Sequence, residues 1–170
     1  MQYRSILFSI LFLFSCSDKK THNQQWPVSG GSNANIRYAD LSQINTSNVH
    51  LLTPAWEFHT GDADTVNHSQ IQCNPLIIDG IMYGTTPEMK LFALDAATGK
   101  QNWVFNPFDS INADNGSFFI MNNCRGISYW SDGLKDKRIL YTAGSFLHCI
   151  NANDGTIIRS FGDSGKVDLH

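Results

Sequence analysis

The sequence predicts an all-β fold assembled from repeated four-stranded meanders, and three observations carry that prediction. Apolar residues come in runs too short for helices and bounded by turn residues, at positions 76–78, 81–84, 91–94 and 102–105. Glycine, asparagine, aromatic and β-branched residues are plentiful, whereas long runs of Ala, Leu, Glu and Lys are missing. The pattern then recurs at a spacing of about 60 residues. Ile81-Met82-Tyr83 is matched by Ile139-Leu140-Tyr141, and residues 94–99 by residues 150–155.

The chain has 170 residues, a net charge of −3 and a pI of about 6.0, which fits one ordinary domain. No basic surface exists for nucleic acid, so that class of function is excluded. Residues 1–16, MQYRSILFSILFLFSC, place Arg4 before an apolar core at 6–14 and end in Leu13-Phe14-Ser15-Cys16. The apolar run falls short of the roughly 20 residues a bilayer span needs and has the shape of a secretory signal. Its last four residues resemble the lipobox of bacterial lipoproteins. That resemblance implies cleavage before Cys16, acylation of its thiol and amino group, and a periplasmic protein held to a membrane by lipid. A plain signal peptide with an incidental cysteine is the alternative. Ser17 resembles the sorting pattern of enteric outer-membrane lipoproteins. Residues 17–25 are polar and aperiodic and read as a flexible tether.

Folded structure is expected from Trp26 onward. Residues 26–42 carry a glycine pair, Asn33, Asn35 and an Arg37-Tyr38 step. Asn45 then suits a helix N-cap, with Ile44 and Val49 at the positions of a hydrophobic staple, so one helical turn is expected there. Residues 55–62 alternate apolar and polar and predict a strand with Trp56 and Phe58 on its buried face and His59 on its polar face. After a loop the first complete unit begins. Asp79-Gly80 supplies the positive φ angles of a two-residue hairpin turn, and Pro87 ends the next ladder. In the third turn Asp95 and Thr98 are placed to bond backbone amides, and Gly99 to adopt a left-handed conformation. Trp103 closes the unit. A long insert, residues 106–123, is rich in Asn, Asp, Ser and Gly around the apolar patch 118–121. The second unit starts near Arg125. Arg159 or Ser160 stands where Trp103 has its equivalent, and Phe161 is the expected counterpart of Phe105.

Residues 91–103, LFALDAATGKQNW, resemble the A-x-D-x-x-T-G-x-x-x-W tryptophan-docking repeat of the quinoproteins, the dehydrogenases that use pyrroloquinoline quinone (PQQ). The resemblance extends over most of residues 26–169. It implies a β-propeller, eight-bladed in full-length members, of which this chain holds about two blades at residues 26–170. It also implies PQQ and usually Ca²⁺ as cofactors, and an alcohol or sugar substrate oxidised by hydride transfer after an aspartate takes the hydroxyl proton. The electron acceptor, a quinone or cytochrome, is left open. In that family the segment equivalent to 55–62 precedes the first complete blade and helps close the ring.

Three site residues follow from the resemblance. Gln72, three residues before Pro75, aligns with a PQQ-binding glutamate of methanol-type enzymes, where glucose-type relatives tend to carry glutamine. An amide both donates and accepts, which suits quinone oxygens and carboxylates; bonding to loop backbone is the other role open to it. Cys124 and Arg125 belong to CRGISYW, similar to the C-R-G-x-S-Y of membrane glucose dehydrogenases. Arginine brings a permanent charge and a planar fork of donors for quinone oxygens or a carboxylate, and stabilises charge developing on reduction. Methanol-type enzymes carry two adjacent cysteines upstream, but Asn122-Asn123-Cys124 offers one. Many glucose-type members have histidine where Trp130 stands, so the substrate of that branch does not transfer.

Cys73, Cys124 and Cys149 are an odd set for an oxidising compartment. Sequence leaves open whether Cys73 and Cys124 pair. No haem, zinc, phosphate-loop or serine-elbow motif occurs. The aspartate base and most metal ligands of the family have no match here, so the resemblance implies the N-terminal part of a larger enzyme, inactive alone, with no catalytic residue of its own. A competing class shares the repeats and lipobox: scaffold lipoproteins of the outer-membrane barrel-assembly machinery, which bind no quinone. Gln72 and CRGISYW separate the two.

Overall fold

The structure is a computed structural model and describes residues 25–39, 41–66, 68–109 and 123–170. The proposed signal, Cys16, most of the tether and most of the insert lie outside those residues. The described residues form two four-stranded antiparallel sheets, each with its strands in sequence order. The first contains β1 (Leu76–Ile78), β2 (Ile81–Thr85), β3 (Leu91–Asp95) and β4 (Gln101–Phe105). The second contains β5 (Ser128–Ser131), β6 (Lys137–Ala143), β7 (Phe146–Asn151) and β8 (Lys166–Asp168).

The turns form as their residues dictate. Asp79 and Gly80 both take positive φ, 51° and 78°, which matches the twist of the hairpin joining β1 to β2. Between β3 and β4 the Asp95 carboxylate accepts from the amides of Ala97 (3.1 Å) and Thr98 (2.8 Å) and from the Thr98 hydroxyl (2.8 Å). These bonds hold the Asp95 carboxyl below its usual range, the Thr98 hydroxyl contributing most. In the second sheet Asn151 accepts from Asn153 N–H at 2.9 Å, and Asp154 accepts from the Thr156 amide and hydroxyl.

A tryptophan then pins one unit to the next. Trp103 lies against Gly155, where an added Cβ would meet its ring at 2.7 Å, and donates its indole N–H to the Ala152 carbonyl at 3.2 Å. Trp56 does the same one unit earlier, against Gly99 and the Ala96 carbonyl, also at 3.2 Å. Between the sheets sits a core of Leu76, Tyr83, Leu91, Ile139, Tyr141 and Ile150 among others. Tyr83 reaches across to bond the Ala152 carbonyl at 3.3 Å, and burial pushes its hydroxyl pKa up to about 12.

Three expectations are corrected. Residues 55–60 are extended, with Trp56 and Phe58 half-buried and His59 exposed as the alternation requires, yet they form no ladder. Side chains rather than backbone bonds hold them, through Trp56 on its turn and Phe58 against Phe92 at 5.2 Å. Phe161 does not mirror Phe105 in a fourth strand. The outer edge of the second sheet is split: Ile157 bridges Ile150, residues 159–165 form turns that bring the Gly165 carbonyl back to Cys149 N–H, and β8 pairs with residues 146–148. The helical turn is a three-residue 3₁₀ element, Val49–Leu51, with no side-chain cap of its own. Asn45 does cap the turn that leads into it, as expected, accepting from Ser47 N–H with its side chain and from Val49 N–H with its carbonyl. Ile44 and Val49 stay exposed, so the staple does not close.

Candidate functional site

Antiparallel pairing brings the lead-in to β1, the β2–β3 turn and the chain leaving β4 to one end of the first sheet. The lead-in to β5 and the β6–β7 turn share the corresponding end of the second. The tryptophan-docked turns sit at the opposite end.

At the first end the inner edges of the sheets meet. Asn74 and Gly126 form a single parallel bridge, the start of β1's lead-in against that of β5. The Arg125 carbonyl accepts from the Asn74 backbone N–H at 3.3 Å and from the Asn74 side-chain amide at 3.2 Å. Above this junction Arg125 donates from Nε to Gln72 Oε1 at 3.3 Å. The Gln72 amide nitrogen donates in turn to Gln70 Oε1 at 3.1 Å. Two of the expected site residues, one from each unit and 53 positions apart, are therefore brought into contact. Arg125 is exposed, and among the described residues its two terminal nitrogens meet no acceptor.

Cys124 takes a different place from its neighbour. It is buried in the core between the sheets, with its thiol donating to the Gly126 carbonyl at 3.1 Å. What it offers to the side occupied by Gln72 and Arg125 is backbone. Cys73 packs half-buried against the same core, and burial pushes its thiol up, with Thr85 opposing the shift. Cys73, Cys124 and Cys149 are all free thiols. Trp130 on β5 is exposed and stacks with Arg138, whose guanidinium lies 5.2 Å from the ring centroid and forks onto Asp136. Among the described residues no group of three or more His, Cys, Asp or Glu side chains gathers to hold a metal ion, and no helix is long and apolar enough to cross a membrane.

Two residues escaped sequence reasoning. Asn74 carries no local signal beyond standing before a proline, because its role depends on the register between two sheets. Trp56 was legible only as a buried strand residue. Its clue is that, like Trp103, it is a tryptophan followed in the chain by a turn of the Asp95–Gly99 and Asn151–Gly155 kind.

A positively charged donor fork beside an amide, exposed where two sheets meet, suits a planar ligand bearing carboxylates or carbonyls. Comparison with known proteins identifies the family. The family described as glucose/ethanol/alcohol dehydrogenase, β-propeller domain (PQQ) matches residues 26–170. Quinoprotein glucose dehydrogenase of Escherichia coli (strain K12) is 33% identical over 161 residues, covering 86% of this chain and 20% of that protein. The dehydrogenase subunit of the quinone-linked alcohol dehydrogenase of Gluconobacter oxydans (strain 621H) is 43% identical over 116 residues, 68% of this chain and 14% of that one. Among solved structures, quinohemoprotein alcohol dehydrogenase from Comamonas testosteroni superposes with a TM-score of 0.61 at 27% identity, covering 79% of this chain and 19% of that one. The chain thus spans a fifth or less of the length of these relatives.

Proposed function

Because this chain belongs to the family of PQQ-dependent glucose, ethanol and alcohol dehydrogenase β-propellers, we propose that it forms two neighbouring blades of such an enzyme and contributes Gln72 and Arg125 to the cofactor site. The observation that carries the reading is the 3.3 Å contact between these two side chains across adjacent sheets. When bound, PQQ supplies the electrophilic ortho-quinone that accepts hydride from an alcohol or sugar carbinol. Arg125 would bind a carboxylate or quinone oxygen through its terminal nitrogens and hold positive charge beside the oxygen where negative charge develops. Gln72 would fix the guanidinium plane through its carbonyl oxygen and turn its amide nitrogen to an acceptor on the cofactor. Cys124 would line the site with its backbone while its thiol packs below.

The proposal places the general base, and any Ca²⁺ ligands, in chain beyond these 170 residues, so these residues bind without turning over. Cys16 is the lipid attachment point at the periplasmic face of a bacterial outer membrane, on the strength of the lipobox. Palmitate incorporation in cells that Cys16→Ser abolishes is the expected check on that point.

Titration of the chain with PQQ, followed by quenching of tryptophan fluorescence, tests the cofactor reading. Saturable quenching is expected, weakened about tenfold or more by Arg125→Ala, a loss of roughly 1.4 kcal/mol. Arg125→Lys should recover only part of it, since lysine keeps the charge and loses the fork. A dye-linked assay with PQQ, Ca²⁺ and alcohols or sugars should show no turnover by the 170 residues. Turnover would overturn the assignment of the base elsewhere, and quenching unaffected by Arg125→Ala would overturn the site.

A further inference from the structure

We propose that Asn74 is the positioning residue of this site: its side-chain amide, by clamping the Arg125 carbonyl, sets the direction in which the Arg125 guanidinium leaves the chain. The inference deepens the cofactor reading and rests on it for its functional meaning, but its geometry is independent of any ligand. Two donors from one residue converge on one carbonyl, the backbone N–H at 3.3 Å and Nδ2 at 3.2 Å. A carbonyl oxygen has two lone pairs, and Asn74 occupies both. With that oxygen fixed, the Arg125 peptide plane and its Cα are fixed against the first sheet.

Asn74 is itself held. Pro75 follows it and restricts it to extended backbone, and its bridge to Gly126 is the one backbone link between the inner edges of the two sheets among the described residues. Gln70, Gln72 and Asn74 stand at alternate positions, which share a face in extended chain. Their contacts run in sequence: Gln70 accepts from Gln72, Gln72 accepts from Arg125, and Arg125 accepts from Asn74. Arg125 is thus gripped at both ends, its carbonyl by Asn74 and its Nε by Gln72. All four residues are at least partly solvent-accessible. Each bond alone is modest, so the arrangement depends on their acting together.

The test reads the Arg125 Nε–H resonance in the ¹⁵N-labelled chain, without cofactor, with Arg125→Lys used to identify the signal. In the unmodified chain this proton should be shifted from the solvated position and should exchange slowly. Asn74→Ala keeps the backbone donor and removes the side-chain one. It should move the resonance to the solvated position and speed exchange about threefold or more, while weakening PQQ quenching by a similar factor. Asn74→Thr, which restores a donor of shorter reach, should recover part of both. A merely structural asparagine would change the unfolding midpoint and leave the Arg125 signal of the folded protein in place, and that result overturns the proposal. If Asn74→Ala does not fold, Asn74→Thr against the unmodified chain gives the same reading, an unmoved Arg125 signal again overturning it. Should PQQ fail to bind the unmodified chain while the Arg125 signal still depends on Asn74, the cofactor reading falls and the positioning role stands.

Discussion

Gly99 and Gly155 show at the residue scale how little room the blade contact leaves. Each has a positive φ, 70° and 75°, and an indole ring where a Cβ would go, at 2.5 and 2.7 Å. Gly80 also has a positive φ, 78°, but open space around it. Gly80→Ala should therefore cost only the left-handed conformation, about 1–2 kcal/mol. Gly155→Ala should cost that and more, because Trp103 must leave its turn. Urea unfolding of the two variants checks the difference, and equal losses would show that the indole yields freely. His148 gives a second prediction. Its ring lies among Phe105, Tyr141 and Phe146, and burial, aided by the Lys166 charge, holds its pKa below the ordinary 6.5 against an opposing bond to Ala143. The unfolded chain therefore binds a proton first as pH falls. The stabilisation is complete above pH 6.5 and is lost as pH drops from there through the folded pKa. Unfolding free energies at pH 7.5 and about 5 should differ in the unmodified chain and differ less in His148→Phe. At this scale sequence revealed the turn residues, whose chemistry is written in their side chains; Gln72 and Arg125 stood out only through the family resemblance, and their contact was not legible from either segment. It did not reveal Asn74 or the inward thiol of Cys124, since both follow from a register between sheets that no local pattern encodes.

At the scale of elements, the first sheet was legible almost to the residue. Its strand ends coincide with Asp79-Gly80, Pro87 and the Asp95 turn, and each such turn stops a ladder for a local physical reason. The second sheet was legible at β6 and at the turn that ends β7. Its fourth strand was not, because no tryptophan anchors the outer edge after Gly155 and the turn at 159–165 lets the chain re-enter the ladder later. The extended segment 55–60 carries the alternation of a strand without a described neighbour to pair with, and alternation reports a buried face rather than a ladder. The tryptophan that joins the sheets gives the prediction at this scale. Trp103→Phe keeps most of the apolar contact and loses the indole N–H bond to Ala152, so it should destabilise by about 1 kcal/mol. Trp103→Ala should cost roughly 3 kcal/mol, and hydrogen exchange should show the two sheets losing protection separately. A Trp103→Ala protein that still unfolds in one step with unchanged midpoint would mean that the shared core alone couples the blades.

At the scale of the whole molecule, two blades make an open sector of a ring. The segment before the first blade exposes Ile36, Tyr38, Leu51 and Leu52, each more than half accessible, and Val66 at 82%. Apolar surface of that extent seeks cover. The isolated chain should associate as its concentration rises, which sedimentation would show as an increase in mean mass, whereas a strictly monomeric chain at high concentration would mean these residues cover one another in solution. The family, the strand topology and the docked tryptophans agree on a propeller sector. The functional claim rests on the end of that sector where Gln72 meets Arg125. A crystal structure of the chain grown with saturating PQQ tests it most directly. The account predicts density for the cofactor within hydrogen-bonding distance of the Gln72 amide and the Arg125 guanidinium; density at another place, or an unaltered Gln72–Arg125 pair facing solvent, would contradict it.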